Sequence, residues 1–402
     1  MERSKVGLIL AGGAARGAYE VGVVQYIAEE ISRAIGRPVP FDVLCGTSVG
    51  AINACALAAL ADQPARGLDQ LFSRWVGLRM QDILAFDLAD LVALLRSFSG
   101  PVPSRPTSGG IFSPSRLRRF LESAIPFSRI GEVLRRGHVS ALSVSATHAS
   151  SGRTVVFVER RDPGLPPWSS DPTILPLRAQ LRVEHALASA ALPIVFPPVF
   201  LDGRYYIDGG VRQNVPLSPA RRLGADALVV INPRHITPAG EVGPVPEPIP
   251  SPITLLGKVF NAFLLDRIDN DINRVERINR MLTAGARRYG DEFIDDLNLA
   301  MGMPSRASLR PLRTVLIRAS QDIGRLCGEF VHSRLFEQRA GLVLTKVLRS
   351  LAQADTHREA DLLSYLLFDG EFARQLIELG RADARARHEE LCAFFEESFS
   401  RA

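Results

Sequence analysis

The chain has 402 residues, 46% of them apolar and 23% charged, with a formal net charge of +5. That balance predicts a folded protein with one large core or two smaller ones, and it excludes a disordered or fibrous chain. The basic residues are almost all arginine and form no dense run, so nucleic acid is not an expected partner; the excess suits a solvated surface or an anionic membrane.

In chain order, Val6 to Leu10 is continuously apolar and ends in glycine, which predicts a buried parallel strand. "AYEVGVVQYIAEEI" follows with Val21, Val24, Ile27, Ala28 and Ile31 at helical spacing. Phe41 to Cys45 predicts a second strand and Ala51 to Leu60 a second helix. Strand, helix, strand, helix with short glycine connections argue for an α/β fold with a parallel sheet. The stretch from about 62 to 126 differs: short helical patterns surround the loop "SGPVPSRPTSGG", as in a cap or lid. "SPSRLRRFLESAI" restarts a helix with Ser113 as N-cap and Pro114 at its first position.

"HVSALSVSATHA" and "RTVVFVE" predict strands joined by a turn at Gly152. A helix stopped by Pro193 and a hairpin around Asp202-Gly203 come next, then the buried strand "ADALVVINP". The Pro/Gly-rich stretch 236–252 predicts a loop, and a long amphipathic helix follows through Phe260, Phe263, Leu264, Ile268, Ile272, Val275 and Ile278. "RTVLIRAS" reads as a strand returning to the sheet, with helices from Gln321 onward. The resulting expectation is a catalytic unit over 1–320 and a helical C-terminal region over 321–402.

Cys45, Cys55, Cys327 and Cys392 have no metal-ligand spacing and predict reduced thiols of an intracellular protein. The apolar run in "MERSKVGLILAGG" suits a first strand and not a signal peptide, and no stretch reaches the ~18 apolar residues that span a bilayer. A cytoplasmic protein with at most peripheral membrane contact is expected.

Two glycine turns carry the chemistry. "FDVLCGTSVGAIN" places Gly46-Thr47-Ser48-Val49-Gly50 between a buried strand and a helix. In that context Gly-x-Ser-x-Gly predicts a strained elbow that presents the serine hydroxyl at the sheet's carboxyl edge, with a helix N-terminus beside it. A plain glycine turn is the simpler alternative. The other turn, "AGGAARG" (Ala11 to Gly17), also joins a strand to a helix. Ala14 stands where a dinucleotide fingerprint wants glycine, and Arg37 where it wants an acid; Ala18 stands where a P-loop wants lysine. The reading that survives is an oxyanion hole, with Arg16 adding fixed positive charge.

A nucleophilic serine needs a base. Asp208 followed by His235 fits the chain order Ser, Asp, His, whereas Asp208 alone, in the apolar "YYIDGGVRQNVP", has the surroundings of a carboxylate with a raised pKa. Sequence spacing leaves both open. A mere β-turn at Asp208-Gly209 is the bland alternative.

Taken together, "GGAARG", "GTSVGAIN", "ASAALPIVFPPV" and "DGG" with "NVPL" resemble the patatin-like phospholipases over roughly Val6 to Pro233. The resemblance extends more loosely to the "LLDRIDNDINRVERIN" and "LLSYLLFDGEFA" segments of longer bacterial members. It implies a three-layer α/β/α fold with a mainly parallel sheet, a helical cap and a helical C-terminal region. It also implies a Ser–Asp dyad in place of a histidine base: Ser48 as nucleophile on the elbow glycines Gly46 and Gly50, and Asp208 as base beside Gly209 and Gly210. The oxyanion donors fall at Gly12, Gly13 and Ala14, near Arg16. One departure is Ala14, where the family usually has a third glycine. His235 becomes a loop residue, and His148 and His185 core or surface residues.

The implied activity is hydrolysis of fatty-acyl esters of phospholipids or lysophospholipids, with no metal or cofactor, at a peripheral membrane surface and with a protein activator as a further expected partner. Alternatives are a generic esterase or thioesterase, and a lipid-binding or regulatory protein with little turnover. The apolar cap ("DLADLVALLRSF", "ILAF") and the long amphipathic helix are the candidate walls for an acyl chain, or the surfaces that rest on a membrane.

Overall fold

The computed structural model describes residues 3–83, 113–236 (apart from 163, 167 and 169–171), 268–302 (apart from 291), 309–339 and 361–400. Among them nine strands form one sheet: β1 (Val6–Leu10), β2 (Val43–Thr47), β3 (Ala141–His148), β4 (Thr154–Arg160), β5 (Ile174–Arg178), β6 (Val199–Leu201), β7 (Arg204–Asp208), β8 (Ala227–Asn232) and β9 (Arg313–Arg318). The order is β5-β4-β3-β2-β1-β8-β9, with β7 also on β3 and β6 on β7. The central run from β3 to β9 is parallel throughout. Antiparallel pairing is confined to β3–β4, β3–β7 and β6–β7.

The central strands are apolar on both faces because both faces are covered. Leu8, Leu10, Leu44, Val229 and Ile231 belong to one core, and Ile9, Val43, Cys45, Leu228 and Val230 to the other. Helices Ala18–Tyr26 and Val49–Ala59 pack in the first core; helix Leu217–Arg222 and Ile272 of helix Ile268–Tyr289 pack in the second. The result is three layers around a mainly parallel sheet, as expected.

Several boundaries move. The second strand begins at Val43 instead of Phe41, and the Phe41 ring packs edge-on against Phe395 at 6.2 Å. Its helix begins at Val49, so Ser48 is the single residue between strand and helix. Strand β5 and helix Ile130–Arg136 lay outside the sequence expectation. Pro176 hides β5, and an edge strand is where proline is tolerated.

The first helix departs from its one-sided pattern: all nine residues of Ala18–Tyr26 are buried. Helix Gly370–Ala386 covers its outer side so closely that a Cβ at Gly22 would lie 1.9 Å from the Ile377 carbonyl oxygen. The C-terminal helices thereby share the first core through Phe330, Phe372, Leu376 and Phe395. Strand β9 does return to the sheet, parallel to β8.

Of the expected cap, helices Pro64–Val76 and Pro114–Ala124 are described, the latter capped by Ser113, whose hydroxyl accepts from the Ser115 N–H. Residues 84–112, which hold most of the apolar cap segment, lie outside the described residues, as do 237–252 and Phe260, Phe263 and Leu264.

Candidate active site

Ser48 stands at the carboxyl end of β2 with φ 55° and ψ −126°, a conformation that side-chain-bearing residues rarely adopt. Its surroundings hold it there. The Ser48 carbonyl accepts from the N–H groups of Ala51 and Ile52 at 3.0 and 3.3 Å. The Ser48 N–H donates to the Ser189 hydroxyl at 2.8 Å. Both elbow glycines are sterically required: a Cβ at Gly46 would lie 2.3 Å from the Gly50 oxygen, and one at Gly50 2.3 Å from the Leu10 oxygen.

Asp208 arrives on the same edge of β3 as β2, just beyond the end of β2, since β4 occupies the opposite edge. Strand β7 pairs antiparallel with β3, Asp208 opposite Ala146, and alternation turns Tyr206 and Asp208 inward. Asp208 Oδ2 accepts from the Ser48 hydroxyl at 2.6 Å, and Oδ1 accepts from the Gly210 N–H at 2.7 Å. Gly209, between them, passes so near β3 that a Cβ would lie 2.2 Å from the Ser145 oxygen. Asp208 is 1% exposed. Burial raises its pKa to about 7, while the Ser48 hydroxyl and Gly210 N–H hold it from rising further.

His235 faces elsewhere, its Nδ1 3.2 Å from the Ala319 carbonyl. Of the two candidate bases, the one that touches Ser48 is Asp208. His148 pairs with the Ser151 hydroxyl. His185 caps its own helix and packs edge-on against Phe157, and burial pushes its pKa down to about 4.

The glycine loop lies beside Ser48: a Cβ at Gly12 would be 3.2 Å from the Ser48 Cβ and 2.2 Å from Asn214 Oδ1. The three expected donors are not equivalent. The Gly12 N–H is engaged by the Asn214 carbonyl at 3.3 Å. The N–H groups of Gly13 and Ala14 have no backbone partner among the described residues. Gly12 therefore serves the loop by letting Asn214 approach, and the free donors are its two successors. Ala14 sits at φ 48°, the left-handed region, which suits the glycine that the resemblance leads one to expect at this position.

An apolar cavity of about 60 Å³ opens along the helix that follows Ser48, lined by Val49, Ile52, Ala56, Leu71, Trp75 and Phe368 among others. At 1.5 Å rise per residue, Val49 to Ala56 carries this wall about 10 Å from the serine. Among the described residues no group of His, Cys, Asp or Glu is arranged to hold a metal ion. No described helix is long and apolar enough to cross a membrane.

The patatin-like phospholipase family model matches residues 8–221. The chain belongs to the patatin-like phospholipase family. It is 30% identical over 211 residues to a cGAMP-activated phospholipase of Pseudomonas aeruginosa, covering 52% of this chain and 53% of that protein. It is 26% identical over 231 residues to lysophospholipase nte1 of Aspergillus niger, covering 56% of this chain and 12% of that protein. The chain thus spans about half the length, or less, of the curated relatives it matches. Among solved structures, human GIVD cytosolic phospholipase A2 in complex with methyl gamma-linolenyl fluorophosphonate aligns at 13% identity with a TM-score of 0.43, over 99% of this chain and 60% of that one.

Two features of this patatin-like site escaped the sequence reading. Ser189, within the segment "ASAALPIVFPPV", had a motif but no role; its hydroxyl accepts from the Ser48 N–H and donates to the Ser145 carbonyl. Asn214 had no signal beyond its place in "NVPL". Arg16 had no predicted partner in the C-terminal region: the residue is 3% exposed, and its guanidinium is held by Ser364 and Tyr365.

Proposed function

We propose that this patatin-like chain is a serine acyl hydrolase that cleaves fatty-acyl esters of phospholipids or lysophospholipids at a membrane surface. The observation that carries the proposal is the 2.6 Å hydrogen bond from the Ser48 hydroxyl to a buried Asp208. A carboxylate with a pKa near 7 is poised to accept a proton at neutral pH.

In the first step Asp208 takes the Ser48 proton as the oxygen attacks the ester carbonyl. The tetrahedral oxyanion receives the N–H groups of Gly13 and Ala14, worth about 3 kcal/mol of barrier for each donor. The intermediate collapses to an acyl-serine, and the alcohol or lysolipid leaves with the proton from Asp208. In the second step water gives a proton to Asp208 and attacks the acyl-serine; Ser48 regains the proton and the fatty acid departs. The small apolar cavity lined by Val49, the residue after Ser48, supports a substrate with an apolar group.

Lipid binding without turnover is the rival, motivated by the Ala14 methyl in the loop. The positive φ of Ala14 favours hydrolysis, since the residue takes the conformation suited to glycine. The test is hydrolysis of phosphatidylcholine vesicles and lysophosphatidylcholine by the chain and its Ser48→Ala and Asp208→Asn variants. Because two relatives are named for activation by cGAMP, each assay is run with and without that dinucleotide. Turnover and fluorophosphonate labelling that vanish in Ser48→Ala are expected. Labelling that persists in Ser48→Ala sinks the assignment, as does lipid binding with no hydrolysis under any of these conditions.

A further inference from the structure

The oxyanion loop is tethered at both ends. Upstream it grows out of β1, in the middle of the sheet. Downstream lies Arg16, whose N–H closes the turn onto the Gly13 carbonyl at 3.0 Å. The side chain of Arg16 reaches into the C-terminal region: Nε and Nη2 donate to the Ser364 hydroxyl at 2.8 and 2.6 Å, and the guanidinium carbon lies 4.1 Å from the centre of the Tyr365 ring. Ser364 and Tyr365 are both 0% exposed. A buried guanidinium is held firmly by such partners, because letting go leaves a charge unsolvated.

The anchor itself is rigid. Helix Asp361–Leu366, which carries both residues, leads into helix Gly370–Ala386. That helix is pinned by the Gly370 N–H on the Leu78 carbonyl at 2.8 Å and by the Tyr19 hydroxyl on Asp383 at 2.9 Å. A Cβ at Gly380 would lie 2.2 Å from the Tyr19 oxygen, so helices Ala18–Tyr26 and Gly370–Ala386 meet backbone to backbone. Between the two tethers sits Ala14 in its left-handed conformation, which persists only where the surroundings over-determine it.

We propose that Ser364 and Tyr365 are positioning residues for the oxyanion loop: through Arg16 they hold the turn that aims the N–H groups of Gly13 and Ala14. Both residues lie outside the 8–221 stretch matched by the family model, so the C-terminal region completes the site instead of merely following it. The catalytic consequence rests on the hydrolase reading above; the mechanical one does not.

The test uses the full chain with Ser364→Ala, Tyr365→Leu and Tyr365→Phe, which keeps the ring. Hydrogen exchange of the backbone over 11–18 is measured alongside kcat and KM for p-nitrophenyl butyrate, a short soluble ester. Faster exchange over 11–18 is expected in Ser364→Ala and Tyr365→Leu, with the elbow at 46–50 unchanged. A fall in kcat of roughly 10- to 100-fold is expected with KM nearly constant, because the loop acts on the transition state. Tyr365→Phe should keep both wild-type exchange and wild-type kcat. Unchanged exchange over 11–18 in both disruptive variants overturns the proposal, as does a loss confined to KM or an equal loss in Tyr365→Phe. If the wild type hydrolyses no ester, the hydrolase reading fails and the exchange result alone decides the tether.

Discussion

The Ser189 hydroxyl bridges Ser48 and β3, accepting from the Ser48 N–H at 2.8 Å and donating to the Ser145 carbonyl at 2.6 Å. The strained backbone of Ser48 is thus tied to β3, the strand with which the strand carrying Asp208 pairs. In Ser189→Ala the buried Ser48 N–H loses its acceptor, which costs roughly 1–3 kcal/mol. Urea unfolding should show that loss, and kcat should fall on the order of tenfold as the elbow loosens. Wild-type stability together with wild-type turnover in this variant contradicts the assignment.

If Asp208 is the base proposed above, activity and stability should respond to pH in opposite directions. Proton abstraction needs the carboxylate, so kcat/KM for a soluble ester should rise with pH on an acid limb whose midpoint lies near 7. The folded-state pKa lies above the ordinary 3.8, so between about 4 and 7 the folded chain binds more protons than the unfolded one. Asp208 therefore withdraws stability as pH rises through that window. Asp208→Asn should abolish turnover yet gain stability relative to wild type from pH 5 to pH 8, read from thermal melts at each pH. A difference that does not change with pH argues against a buried, raised carboxylate.

Ala14 carries a strain that glycine lacks. The left-handed conformation costs a non-glycine residue about 1–2 kcal/mol, offset in part by the greater unfolded-state entropy of glycine. Ala14→Gly should therefore raise stability by up to about 1 kcal/mol with turnover retained. Ala14→Val, β-branched at the same φ, should lower both. Chemical denaturation and ester assays on the two variants decide the point.

The cavity makes a chain-length prediction. Ala56 lines it and is 9% exposed, so Ala56→Leu fills space that an acyl chain would occupy. Hydrolysis of a long-chain p-nitrophenyl ester should drop on the order of tenfold while the butyrate is nearly unaffected. Equal losses on both substrates place the acyl chain elsewhere.

What the sequence determined by itself was local. Val6 to Leu10 announced a doubly buried strand through its unbroken apolar run, and Gly46 and Gly50 announced the elbow around Ser48, because backbone crowding at that turn admits no side chain. The order of motifs was enough to name the family. Tertiary structure decided what depends on partners far away in the chain. Ser48 and Asp208 are separated by 160 positions, and only the antiparallel seating of β7 on β3 brings that carboxylate, and not His235, to the serine. Arg16 and Ser364 are 348 positions apart. No periodicity near Arg16 could report that its charge would be buried against the C-terminal region, because the energy of that contact comes from desolvation by helices that pack only once the whole chain is folded.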